Sequence, residues 1–223
     1  MPVVRAVKPA RSLAWIAEGW ACFMGMAQPA LILTACLLAI TLLAAWLTGM
    51  RLASVLFNSL LVIYLGLLAH GSRDAGAPPL FPVKIVRSKP LWIVAALAGA
   101  IALALDLLSN SMGVYARAAS WSSLGIYFLA IKILSVLAMM ALWLTPSLVV
   151  LHGAGPLQAM TLSLLASLKN FLPWLLFSLL AFVLLIVAAI PVGLGLLVAL
   201  PTLACAACMA SQDMFASKPT VAF

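Results

Sequence analysis

The chain carries four carboxylates, Glu18, Asp74, Asp106 and Asp213, and no two stand close enough in sequence to form an obvious general acid–base pair. Neither a nucleophile elbow, an HExxH segment nor a glycine-rich phosphate loop accompanies them. The expectation is a protein that is not an enzyme and needs no cofactor. What remains are ionisable or soft groups inside apolar surroundings, each a functional candidate because burying it in a membrane is costly. Lys132 lies within one apolar run and Asp106 near the end of another. Both stand toward the non-cytoplasmic side and would pair if their helices form a hairpin; the readings are a structural ion pair or a snorkelling lysine, or else a site for an ion, a proton or a polar headgroup. His70 and His152 each precede a glycine, which fits a helix stop in which the cation meets the helix dipole and glycine supplies the left-handed turn. At equal depth the imidazoles could also form a metal pair or proton relay. Cys205 and Cys208 have the spacing of a redox or metal pair, with Cys22, Met24 and Met26 near the same membrane face. Cysteine nonetheless packs well as a small apolar residue, and apolar surroundings do not lower a thiol pKa, so no metal is expected.

Elements that could position such groups follow from composition. Hydrophobic residues make up 67% of the chain and charged residues 7%, too few charges to cover a water-exposed surface. Six runs are long enough to cross a bilayer: 29–47, 52–69, 91–108, 125–144, 171–190 and 194–210. They are solidly apolar and rich in Leu and Ala, where barrel strands would alternate. The expected fold is all-α: one polytopic membrane domain over 1–223, built as three hairpins with one or two interfacial amphipathic helices. Asn58 and Ser59 weaken the second run, and Pro201 interrupts the sixth. Pro146 should bend the fourth segment.

The first amphipathic helix is expected over 11–26, with Ser12 as N-cap, Leu13, Ile16, Trp20 and Phe23 on one face, and Arg11, Ala14, Glu18 and Gly25 on the other. A second covers 156–170, with Leu157, Met160, Leu164 and Leu168 opposed to Ser163, Ser167 and Asn170. Each precedes a hairpin, and the first and last units end in Gly71-Ser72-Arg73-Asp74 and Ala210-Ser211-Gln212-Asp213, which suggests a duplication that would bring Asp74 and Asp213 to one face, in capping roles. Residues 71–90 form a basic, proline-rich loop.

An even number of spans places Arg5, Lys8, Arg11, Arg73, Lys84, Arg87, Lys89, Lys169 and Lys218 on one side, which the positive-inside rule makes cytoplasmic. The net charge of +8 is thus a matter of topology and needs no nucleic acid. Anionic headgroups are the natural partners of Arg11, Arg73, Lys84, Arg87 and Lys89. No cleaved signal peptide is expected at the N-terminus.

Several stretches carry a resemblance: Trp15-Ile16-Ala17-Glu18-Gly19-Trp20 with Phe23 and Pro29, then Thr145-Pro146-Ser147-Leu148-Val149-Val150-Leu151-His152-Gly153, then Pro156-Leu157-Gln158-Ala159-Met160 with Ser163 and Asn170, and Asp213-Met214-Phe215. Through these the chain resembles a family of proteobacterial inner-membrane proteins of unknown function, and more loosely the membrane domain of some glycerophosphodiester phosphodiesterases. The resemblance implies six helices in a bacterial inner membrane and no reaction. Where an aromatic-Ser-Arg-Asp pattern would be expected, this chain has Ala210-Ser211-Gln212-Asp213, which puts any role of that cation in doubt.

The function expected is that of an accessory, assembly or lipid-interacting membrane protein, working with anionic lipids and with a membrane-protein partner or a second copy of itself. The alternative is a small transporter or channel using Lys132 and Asp106. Reporter fusions at 75–80 and at the C-terminus should both read as cytoplasmic; a non-cytoplasmic signal at either point breaks the even-span arrangement.

Overall fold

The computed structural model describes residues 4–71, 88–115, 121–191 and 193–215, and these form helices without a strand. In chain order they are α1 (Arg11–Gly25), α2 (Ala27–Thr48), α3 (Met50–Gly71), α4 (Lys89–Tyr115), α5 (Trp121–Leu142), α6 (Thr145–His152), α7 (Pro156–Lys169), α8 (Phe171–Ala189) and α9 (Leu196–Met214). Six segments are long and apolar enough to cross a membrane: α2, α3, α4, the combined 125–152 stretch of α5 and α6, α8 and α9. The protein is therefore an all-α, multi-pass membrane protein. Much of the 71–90 loop, with Arg73, Asp74, Lys84 and Arg87, lies outside the described residues, as does the side chain of His70.

Lipid offers the backbone no hydrogen bonds, so each chain reversal and break must be satisfied by the protein itself. Gly49 turns α2 into α3 at φ 83°, a left-handed value that favours glycine, and its N–H donates to Ala45 O at 3.0 Å. In the second span Asn58 and Ser59 fold their side chains back onto Ser54 O and Val55 O, at 2.8 and 3.1 Å, so the helix tolerates both. The sixth span departs from expectation. Pro201 lies inside α9 without ending it, and the helix runs to Met214.

The fourth span breaks at Trp143–Leu144, just before Thr145 and Pro146 open α6. In an unbroken helix the Leu144 N–H would donate to Met140 O. Ser163 of α7 stands between them instead, donating its hydroxyl to Met140 O at 2.8 Å and accepting from Leu144 N–H at 3.3 Å. The Trp143 indole donates to Ser167 Oγ at 2.7 Å. The break thus turns α6 inward, where Thr145, Pro146, Ser147, Leu148 and Val149 are all buried against α3, α4, α7 and α9. At its far end Gly153 adopts φ 64° and Ala154 N–H reaches Leu148 O at 3.3 Å, the glycine stop expected after His152.

Of the two helices read as amphipathic, α7 turns its small and polar residues inward, and α1 buries two aromatic rings beside a serine and a glycine. The buried stripe of α1 is Ser12, Trp15, Gly19 and Phe23, while Leu13 and Trp20 are exposed. The buried residues of α7 are Ala159, Ser163, Ala166 and Ser167, while Leu157 and Leu168 are exposed. Close small-residue packing and hydrogen bonds are also what joins helices within a membrane, where α9 and α8 cross.

The closest approach of α1 to α9 is at Gly19, where an added Cβ would stand 2.7 Å from Ala206 Cβ and from Thr202 O. Backbone atoms line that contact and cannot swing aside. Gly19→Leu should therefore lower stability by about 1–3 kcal/mol, the ordinary cost of overpacking. Thermal melting followed with a thiol-reactive dye, reading the buried Cys205 and Cys208, checks this, and Gly25→Ala, with open space around it, should leave the melt unchanged.

Candidate functional site

The densest polar cluster among the described residues forms where the start of α1, the end of α9 and the α7–α8 junction meet. Asp213 Oδ2 accepts from Arg11 Nε at 2.8 Å and from the Trp15 indole at 2.7 Å, and lies 2.6 Å from Arg11 Nη2. The other side of the guanidinium meets Glu18, with Nη1 2.8 Å from Oε1 and Nη2 3.2 Å from Oε2. Placing Arg11 and Glu18 two turns apart on one helix lets a single arginine bridge two carboxylates. Hydrogen bonding to Asp213, with help from Glu18, outweighs desolvation and raises the Arg11 pKa above its ordinary value.

Beside this cluster, residues 4–10 run as a strap over the helix ends. Asn170, which separates α7 from α8 and is buried, accepts from Val7 N–H at 2.7 Å and donates to Arg5 O at 2.9 Å and Ala166 O at 3.0 Å. Arg5 N–H donates to Met214 O at 2.9 Å, and Lys169 Nζ to Val4 O at 2.8 Å. The Ser12 hydroxyl is positioned between Pro9 O and Pro173 O, at 2.8 and 2.9 Å. Ser12 thus ties α1 to α8 rather than capping its own helix.

One expectation changes with this geometry, the pairing of Lys132 with Asp106. Arg11, read as a headgroup contact, pairs with Asp213 and Glu18 and keeps 39% of its side chain exposed. Asp106 does not pair with Lys132: its Oδ2 lies 3.3 Å from Arg51 Nε, an ion pair at the other end of the α3–α4 contact. Lys132 faces outward from the middle of α5, its ammonium 5.2 Å from the centre of the Phe128 ring. The physical reason is helix phase, since a lysine stem leans toward the N-terminus of its own helix and here reaches Phe128.

Of the remaining candidates, Lys89 is exposed at the start of α4, and the His152 ring lies 6.3 Å from that of Phe215. Cys205 and Cys208 are both buried, and the second lies 3.8 Å from Ser147 Oγ. Among the described residues, no three His, Cys, Asp or Glu side chains are grouped to hold a metal ion. Trp15 and Asn170 were not singled out from sequence as site residues. The signal was there in part, because a polar tip on each side chain, once buried, must find a partner.

The cluster is a structural lock in a multi-pass membrane protein. No protein-family model matches the chain, and neither curated proteins nor solved structures give a match.

Asp213→Ala would strand the indole N–H of Trp15, a fully buried side chain, together with one side of Arg11. The expected loss is about 1–3 kcal/mol, against about 1 kcal/mol for Trp15→Phe, which removes a single hydrogen bond. The double variant should lose less than the two separately, because both cut the same bond. Thiol-detected melts of the three variants test this.

Proposed function

We propose that the protein is a non-enzymatic interaction component of a bacterial inner membrane, acting as an accessory or assembly factor that engages anionic lipids and another membrane protein. In this reading the Arg11–Asp213 end of the bundle faces the cytoplasm, in keeping with the excess of Lys and Arg on that side. The observation that carries the reading is the packed centre of the bundle. Trp15, Leu91, Leu144, Leu148, Met214 and Phe215 fill it at relative exposures of 0–1%, and its buried serines, threonines and Asn170 largely bond to neighbouring helices or backbone. A centre filled in this way leaves the outer face as the working surface. That face is broad and apolar, with Trp46, Ile126 and Ile190 among the side chains most open to lipid.

Mild-detergent extraction from bacterial membranes followed by native mass spectrometry tests the proposal. The tagged chain should leave the membrane with a second protein in fixed stoichiometry, or with tightly held anionic lipid. Release as a bare monomer, combined with solute or ion flux in proteoliposomes, would reverse the reading in favour of transport.

A further inference from the structure

Residues 4–10 cross the bundle at the ends of two spans. Lys169 and Asn170 immediately precede the span Phe171–Ala189, and Met214 is the last residue of the span Leu196–Met214. The strap is fixed to both. Lys169 Nζ donates to Val4 O at 2.8 Å, Asn170 bonds the Arg5 carbonyl and the Val7 N–H, and Arg5 N–H donates to Met214 O at 2.9 Å. A segment bonded to the terminal residues of two membrane helices lies where hydrocarbon gives way to headgroups.

What the strap carries there is positive charge. Arg5 and Lys8 are exposed, as is Lys169 beside them. The described carboxylates nearby, Glu18 and Asp213, both pair with Arg11, so these three cations have no acidic partner among the described residues. Pinning the strap brings like charges together, and an anion relieves their repulsion. The surroundings decide which anion. Ser12 Oγ and Pro173 O, 2.9 Å apart, join the first turn of α1 to that of α8. Leu13 on α1, Leu168 near the end of α7, and Phe171 and Leu172 at the start of α8 are all exposed around that junction. Cations beside an exposed apolar collar match a molecule that is anionic at one end and hydrocarbon at the other, whereas a soluble phosphate would use the cations alone. We infer that the strap binds an anionic phospholipid, its phosphate held by Arg5, Lys8 and Lys169 and an acyl chain lying along Phe171 and Leu172. The inference rests on the interaction reading above and assigns its lipid to three cations that sequence did not mark as headgroup contacts.

The test titrates dioleoyl phosphatidylglycerol into the full chain in a non-ionic detergent and counts bound lipid by native mass spectrometry. The first phosphatidylglycerol should bind about tenfold or more tightly than the first phosphatidylcholine. Arg5→Gln, Lys8→Gln and Lys169→Gln should each weaken it about fivefold, and the triple variant about a hundredfold. Glutamine spares the backbone bonds of the strap and keeps a donor for Val4 O, so thiol-detected melting should not change. Unchanged phosphatidylglycerol binding in the triple variant overturns the inference. Displacement of the lipid by inorganic phosphate at equal concentration overturns it in favour of a soluble-anion site, and a dimer that excludes the lipid overturns it in favour of an interface between two copies. Should the triple variant fail to fold, the unaltered protein decides: raising the salt from about 0.1 M to about 1 M should release phosphatidylglycerol and spare phosphatidylcholine, and retention of phosphatidylglycerol overturns the inference. If the strap fails this test while extraction from the membrane still yields a partner or bound lipid, only the site has been misassigned; if extraction yields a bare monomer as well, the interaction reading falls with it.

Discussion

The bond between Asp213 and the pair Arg11 and Trp15 joins the first helix of the protein to the last, and much of the architecture depends on it. Hydrocarbon supplies no hydrophobic drive to bring two helices together, so α1 and α9 need another source of attraction. One part is contact, at Gly19 and Ala206, where the backbones come close enough for dispersion to act along the crossing. The other is the shared carboxylate oxygen, which accepts from both an arginine and an indole. Contact alone fixes a distance between helices; the carboxylate fixes their register as well.

A similar division holds at the break in the fourth span. Opening a helix inside a membrane frees backbone groups, and each such group left without a partner costs several kcal/mol, roughly the whole margin of stability of a small domain. The hydroxyl of Ser163 spans the gap between Met140 O and Leu144 N–H and so repairs the one interruption that sends α6 into the centre. Asn170 does the same for the strap, pairing with backbone groups of Arg5 and Val7. Ser163 lies on α7 and Asn170 just after it, and the exposed side of that helix carries Leu157, Leu165 and Leu168. The polarity of α7 is therefore structural, a means of joining backbone to backbone.

The spans were legible because 20 apolar residues in succession have few other uses, and the bend near Pro146 followed from its missing N–H. Positions and partners were less so. Leu13, Ile16, Trp20 and Phe23 were assigned to one face by their spacing, but Leu13 and Trp20 are exposed while Phe23 is buried with Trp15, because spacing does not say which face meets protein. Asp106 illustrates a second limit. Hairpin adjacency offered Lys132 as its partner, whereas the described structure gives it Arg51, across the α3–α4 contact where Gly99 lets Ser59 approach. Helix phase, set by packing along the whole contact, chose between two cations that sequence could not rank. Arg11, Trp15, Glu18, Asn170 and Asp213 lie far apart in sequence and gather at one end of the bundle.

Two ionisable groups within the spans, Asp106 and Lys132, meet different fates. Asp106 has exchanged water for a 3.3 Å approach to Arg51, but its buried Oδ2 accepts no hydrogen bond, so the cost is offset only in part. Lys132 has exchanged water for the face of a phenylalanine ring, an attraction of about 0.5–2 kcal/mol or somewhat more when desolvated. Holding a lysine at the centre of a lipid-facing helix costs about 2.5–3.5 kcal/mol even on the most lenient scale. The ring therefore offsets part of that cost, and the flexible stem, leaning toward Phe128 and the start of α5, brings the ammonium nearer the end of the span.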